Sequence, residues 1–374
     1  MDKNNITRLI GLDLLRAFLI IIGVFYHASL VVYPMSWVYK SPHYNSYVIG
    51  LLFEFFHMFR METFFLLSGF FSTLLIEKKG KKYYIENRKN RILIPSLFLF
   101  FIIGIPQYYF LIYDGTFNYD AMISHFWFLQ TLIAFIAIQC LYLIKMNYKK
   151  QIMLSVFLYF LASPTDYIFS KILILNLFHG SISDIFKYLI YYIIGTYLYF
   201  NYNEIINKVQ NHFTKISTIA VITSMISIIL TAIIWKRNGF LFEPEATTDL
   251  ILFVEKFISY YISIPLLHLL NSFCISFILL YMFSKINFTN NYITFIIQSS
   301  LCIYILHHPI LIILGIFLDN YNLNLFSYFF ILSTISLLIP CLIFYIFRGN
   351  LIFNKIFGVD PVNLKTRNKM LKSD

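Results

Sequence analysis

Metal-ligand and disulfide spacings are missing from this sequence. Its four cysteines, Cys140, Cys274, Cys302 and Cys341, stand one to an apolar run, where cysteine behaves as a small buried hydrophobe. There is no HExxH pair, so no metal site is expected. GxSxG, the P-loop and the dinucleotide glycine fingerprint are absent too, which removes three large enzyme classes. No internal repeat or linker divides the chain, so a single domain over residues 1–357 is expected. The tail 358–374, with Asp360, Pro361 and scattered lysines, reads as a mobile cytoplasmic end.

Charge is scarce as well. Only 13% of the 374 residues are charged while 59% are hydrophobic, and the mean hydropathy is +0.73. A soluble core cannot hide that much apolar surface. The expected fold class is therefore all-α: a polytopic transmembrane helical bundle in contact with membrane lipid. Apolar windows separated by charged breaks give about ten spans, near 9–33, 46–76, 92–113, 125–144, 151–170, 185–201, 216–235, 262–284, 292–317 and 328–347. Residues 240–261 are half apolar and could lie along the interface or re-enter.

The net charge of +11 invites a nucleic-acid partner, but its distribution argues against one. With the N-terminus inside, segments 1–8, 77–91, 145–150, 201–215, Lys285 and the tail hold 21 of the 29 Lys and Arg. The opposite loops hold five: Lys40, Lys171, Lys187, Lys236 and Arg237. By the positive-inside rule both termini are cytoplasmic. The first apolar run is too long for a signal peptide and lacks a small-residue cleavage site, so it reads as a retained anchor.

That first run, Leu9 to Tyr33, carries Asp13, Arg16 and His27. Arg16 and His27 are eleven residues apart, about three turns plus 20°, and so share one face roughly 16 Å apart along the axis. Asp13 lies one turn from Arg16 and can offset its charge. Ionisable groups inside a span are costly and mark a polar cavity. A neutral imidazole near the outer end can take a proton from a hydroxyl; alone, it could equally rest against a carbonyl at a helix end.

Other polar positions punctuate later spans. Glu54, His57 and Arg60 form a broad stripe that either lines a pocket for an anionic group, with Arg60 as carboxylate partner, or holds a self-compensating Glu–Arg pair. Ser68 and Gly69 permit close approach of a helix or ligand. Arg88 and Arg91 stand three apart at a membrane mouth, where bidentate forks can hold phosphates. His125 could face the same chamber or sit in the interfacial aromatic belt beside Trp127. His307 and His308 precede Pro309, which bends the helix and frees a carbonyl. Adjacent residues diverge by about 100°, so at most one of the two histidines is expected to face a given cavity.

The pieces LDLLRAFLIIIGVFYHASL, FHMFRMETFFLLSGFFS, RKNRILIP, SHFWFL, SLCIYILHHPI and NKIFGVDPV together resemble the membrane-bound acyltransferase family 3, and within it the periplasmic glucan succinyltransferase group. The resemblance implies a bacterial inner-membrane, multi-pass O-acyltransferase with acyl-CoA (succinyl-CoA or acetyl-CoA) as donor substrate, no bound cofactor, and a glucan or other glycan as acceptor. It implies His27 as catalytic base, Arg16 as its partner in the donor channel, and Arg88 and Arg91 as acyl-CoA contacts. Glu54, His57, Arg60, His125, His307 and His308 remain candidates for the substrate pocket. The competing class is a transporter or flippase with an intramembrane His/Arg/Glu relay, although no paired broken segments occur in corresponding halves.

Overall fold

Apolar side chains on helices that would be poorly soluble in water need either a neighbour or lipid, and both solutions are visible in the computed structural model. It describes residues 9–33, 37–112, 115, 122–141, 146–170, 179–236, 259–288 and 290–358. The expected tail lies outside these from residue 359, and the expected interfacial stretch lies outside them up to residue 258. Every regular element among the described residues is helical. The long ones are α1 (Ile10–Val31), α2 (Tyr47–Arg88), α5 (Trp127–Leu141), α6 (Tyr148–Ser170), α7 (His179–Phe200), α9 (Phe213–Lys236), α10 (Ile264–Ser284), α11 (Asn291–Leu318) and α12 (Leu325–Phe347). Shorter helices are α3 (Ile94–Leu99), α4 (Ile105–Gln107), α8 (Tyr202–Asn211) and α13 (Leu351–Ile356).

Helical residues lie in each of the ten expected segments, those of 92–112 in short α and π pieces, and seven helices among the described residues are long and apolar enough to cross a membrane. Leu52, Phe101, Phe110, Met225, Phe330 and Leu342 point outward, exposed, as lipid-facing residues do. The chain is a multi-pass membrane protein.

Two departures from the sequence expectation occur in basic segments. Residues 77–91, expected as a loop, are helical, but Gly80 breaks α2 with φ 81 and ψ 163, a backbone region that favours glycine. The chain reverses there: the Tyr84 hydroxyl reaches Ser72 Oγ at 3.3 Å, although twelve residues of straight helix would separate the two by about 18 Å. Segment 201–215, also expected as a loop, contains the short helix α8. Beyond Arg88 the returning segment alternates between wide π-turns (Lys89–Leu93, Phe100–Gly104 and Tyr108–Ile112) and short α-helical pieces. Pro95 and Pro106 sit in that segment, and a proline leaves the carbonyl four residues back without its N–H, which loosens the winding.

The core is built around α2, which packs along α7, α1 and α10. Gly69 and Gly195 set the α2–α7 distance. A Cβ on Gly69 would stand 2.0 Å from the Tyr192 carbonyl, and one on Gly195 1.9 Å from that of Leu66. The small residue expected to allow close approach therefore admits α7. Side-chain caps start α2, α11 and α12: Ser46 accepts from Ile49 N–H, Asn290 from Ile293 N–H and Asn324 from Ser327 N–H, each worth about 1 kcal/mol.

Candidate functional site

One stripe of α1 carries Arg16, Ile20, Gly23 and His27, at i, i+4, i+7 and i+11. Two cavities open along it. The first, about 250 Å³, is lined by Asp13, Arg16, Arg88 and Arg91 together with Ser96 and Gln298. The second, about 30 Å³, is lined by His27, Arg60, His125 and His307 among aromatic and aliphatic side chains. Ile20, Phe64, Phe128 and Tyr304 line both. These four side chains stand where the two cavities meet, between the levels of Arg16 and His27.

In the larger cavity Arg16 lies 3.8 Å from Asp13, and its guanidinium faces the Phe64 and Phe71 rings at 5.6 and 5.2 Å. Arg88 donates to Ser72 Oγ at 3.3 Å and lies over Tyr84. Arg91 sits in the first π-turn, and residue 358 packs against its backbone. Three guanidiniums converge on one void, an arrangement suited to phosphate or other anionic groups.

Four histidines from two helices and one turn gather at the smaller cavity, three of them lining it. The His27 ring stands 5.3 Å from His307 and 5.5 Å from His308. His125 stacks on His308 at 4.5 Å. His307 alone of the adjacent pair lines the void, as the 100° argument anticipates, yet both rings touch His27. Pro309 explains how His125 is held. Lacking an N–H, it leaves the Ile305 carbonyl free, and His125 Nε2 donates to that carbonyl at 3.1 Å. His125 belongs to this chamber, 3% exposed, and not to an aromatic belt. Ser124 just before it has φ 45, a strained backbone for a non-glycine residue that turns the chain into the chamber.

The hydrogen bonds fix the tautomers. His307 Nδ1 donates to the Ile303 carbonyl at 2.9 Å, so its Nε2, which has no partner, carries the lone pair. Gln107 Nε2 donates to His308 Nδ1 at 2.8 Å, and His308 Nε2 donates to Ser124 Oγ at 3.3 Å. His27 Nδ1 has no partner. The chamber thus holds three imidazole nitrogens without a hydrogen-bond partner, on His27, His125 and His307.

Arg60 is 8% exposed and lies over Tyr26 at 5.3 Å, with Nε unpartnered. Gly23 makes room for it, since a Cβ there would stand 1.9 Å from Nη1. Of the two readings left open, the self-compensating Glu54–Arg60 pair does not form among the described residues, and Arg60 lies over the Tyr26 ring. His57 stacks on Tyr26 at 4.3 Å, one ring behind the chamber. Glu54 and His57 are therefore neighbours of the site, not its lining.

Sequence reasoning missed several residues. Trp37, in the segment between α1 and α2, covers His27 and His308 at 5.8 and 5.2 Å. Gln107 was legible only as a polar residue after Pro106 in an apolar run. Lys187, counted as an outer-loop cation, lies within α7, 3.9 Å from the Glu62 carboxylate; His268 holds the same oxygen at 2.8 Å. Glu62 is 1% exposed, so this is a second buried polar cluster, on the far side of α2. Among the described residues no group of three His, Cys, Asp or Glu side chains could hold a metal ion.

Comparison with known proteins places these features in context. The family described as "Acyltransferase domain" matches residues 9–345. Similar curated proteins include glucans biosynthesis protein C of Escherichia coli strain K12 and of Escherichia coli O81 strain ED1a. Both are 24% identical over 344 residues, covering 82% of this chain and 83% of theirs. No solved structure matches the chain.

Proposed function

We propose that this chain, which belongs to the acyltransferase family matched over residues 9–345, transfers a short acyl group from cytoplasmic acyl-CoA to a hydroxyl of an extracytoplasmic glucan or other glycan. The observation that carries this reading is the α1 stripe, which runs from an arginine-lined cavity to a histidine-lined one across the wall of side chains that line both. Arg88 and Arg91 hold the phosphates of coenzyme A, and Arg16 guides the pantetheine arm toward the wall. An extended arm of roughly 15–20 Å covers the ~16 Å between the levels of Arg16 and His27. The positive-inside count puts the arginine end in the cytoplasm, and the membrane is then the bacterial inner membrane.

His27 accepts the proton of the acceptor hydroxyl as its oxygen attacks the thioester carbon. The new C–O bond forms, the C–S bond breaks, and the proton passes from His27 to the departing thiolate. Products are an O-acyl ester and free coenzyme A, so nothing else need be supplied. In a ping-pong variant His27 is itself acylated first. Arg60, a buried guanidinium with no carboxylate partner among the described residues, favours an anionic acyl group, succinyl before acetyl. The name of the similar proteins, glucans biosynthesis protein C, supports a glucan acceptor.

The test is purified full-length protein with succinyl-CoA or acetyl-CoA, a soluble glucan oligosaccharide and a free-thiol readout. Acceptor-dependent thiol release that His27→Ala abolishes supports the reading. Wild-type turnover by intact His27→Ala protein would remove the base assignment, and saturable uptake without thiol release would favour a transporter.

A further inference from the structure

Three of the four side chains that line both cavities and form the wall between them, Phe64, Phe128 and Tyr304, are aromatic. Phe64 and Phe128 meet edge to face at 4.7 Å, and Phe128 meets Tyr304 at 5.7 Å. Phe65 packs behind Phe128 at 5.0 Å. The Tyr304 hydroxyl is anchored on the His125 carbonyl. Phe64 and Phe128 are buried, so neither ring can swing aside without displacing a neighbour. Beyond this wall the chamber measures about 30 Å³, against about 250 Å³ on the arginine side. One water-sized group needs roughly 10–15 Å³, so the chamber holds about two such groups beside His27.

We propose that the Phe64–Phe128 pair, with Tyr304, sets the length of the acyl group this protein transfers. The inference rests on the acyl-transfer reading above. A thioester carbonyl reaching His27 brings its acyl tail into the same small space. Each further methylene then presses on Phe128 or Phe64, whose own packing resists. One methylene in a hydrophobic pocket changes kcat/KM by about 10- to 200-fold, enough to discriminate among apolar acyl groups of two, three and four carbons, whereas the carboxylate of a succinyl group is drawn to Arg60, which lines the same chamber. The wall also keeps water in the arginine cavity away from the thioester carbon.

Acetyl-, propionyl-, butyryl- and succinyl-CoA are compared as donors by thiol release, with and without a soluble glucan oligosaccharide, for wild-type, Phe128→Ala, Phe64→Ala and Phe128→Trp protein. Phe128→Ala and Phe64→Ala should raise the butyryl-to-acetyl ratio of kcat/KM at least tenfold, and Phe128→Trp should lower it. Acceptor-independent thiol release should rise in the alanine variants. If Phe128→Ala fails to fold, Phe128→Leu gives the same direction at smaller size. Parallel donor profiles across folded variants would overturn the ruler while leaving acyl transfer intact. Absence of thiol release by wild-type protein with every donor would instead sink the acyl-transfer reading, and this proposal with it.

Discussion

His27 and His307 face each other with ring centroids 5.3 Å apart and planes inclined at 67°. Each has a ring nitrogen without a hydrogen-bond partner, Nδ1 of His27 and Nε2 of His307. In the proposed chemistry the two act on one reacting centre, and residues that act as a unit are non-additive. His27→Ala should lower kcat by 10²- to 10⁴-fold. His307→Ala should cost less, and the double variant should be no worse than His27→Ala. Additive losses measured in the full cycle would separate the two histidines functionally.

Gly23 is where a single methyl group should move a charge. Its Cβ would stand 1.9 Å from Arg60 Nη1, the far end of a flexible side chain, so the fold should survive while the guanidinium leaves the chamber. Gly23→Ala is expected to unfold within a few degrees of wild type yet to lose at least tenfold in acyl transfer. Adding Arg60→Ala should then change little. Full activity in Gly23→Ala would show that Arg60 need not occupy its place.

The arginine cavity should behave as a donor site. Arg91→Ala is expected to raise KM for acyl-CoA by roughly 10- to 100-fold, the worth of a charge-assisted hydrogen bond, with kcat little changed. Arg91→Lys should recover only part, because a point charge lacks the bidentate fork. Initial rates over a donor titration, with acceptor held saturating, decide this.

At the other end of α1, Asp319 clamps the segment that carries Trp37. Tyr39 donates to Asp319 Oδ2, and Ser41 Oγ donates to Oδ1 at 2.5 Å. Burial, then the Asp319 carboxylate, push the Tyr39 hydroxyl above its usual range. A raised folded-state value means that the stabilisation is fully present below the unfolded value near 10 and declines as pH rises beyond it. Tyr39→Phe should therefore lower thermal stability by about 1–3 kcal/mol at pH 7 and at pH 9 alike, with the gap closing only at higher pH. A gap that changes between pH 6 and pH 8 would contradict this.

Much of the site was legible because its cues are local. The i, i+11 relation of Arg16 and His27 needs only helical periodicity, and Pro309 announces a free carbonyl by lacking an N–H. Where the sequence misled, the cause was a long-range partner. Lys187 has the appearance of a loop cation until Glu62 is seen beside it. Likewise, 77–91 carries loop-like charge, yet one glycine suffices to turn it into the corner of a helical hairpin.

Composition and hydropathy by themselves determined a membrane-embedded, all-helical protein, the placement of its long helices and the polar face of α1, because these depend on residue type and a fixed period along the chain. Only the tertiary structure decided that His307 and His308 meet His27, that Phe64, Phe128 and Tyr304 line both cavities, and that Glu62 gathers His268 and Lys187. Those relations depend on the rotation and depth of one helix against another. Side-chain packing and glycine contacts set both, and no periodicity within a single helix records them.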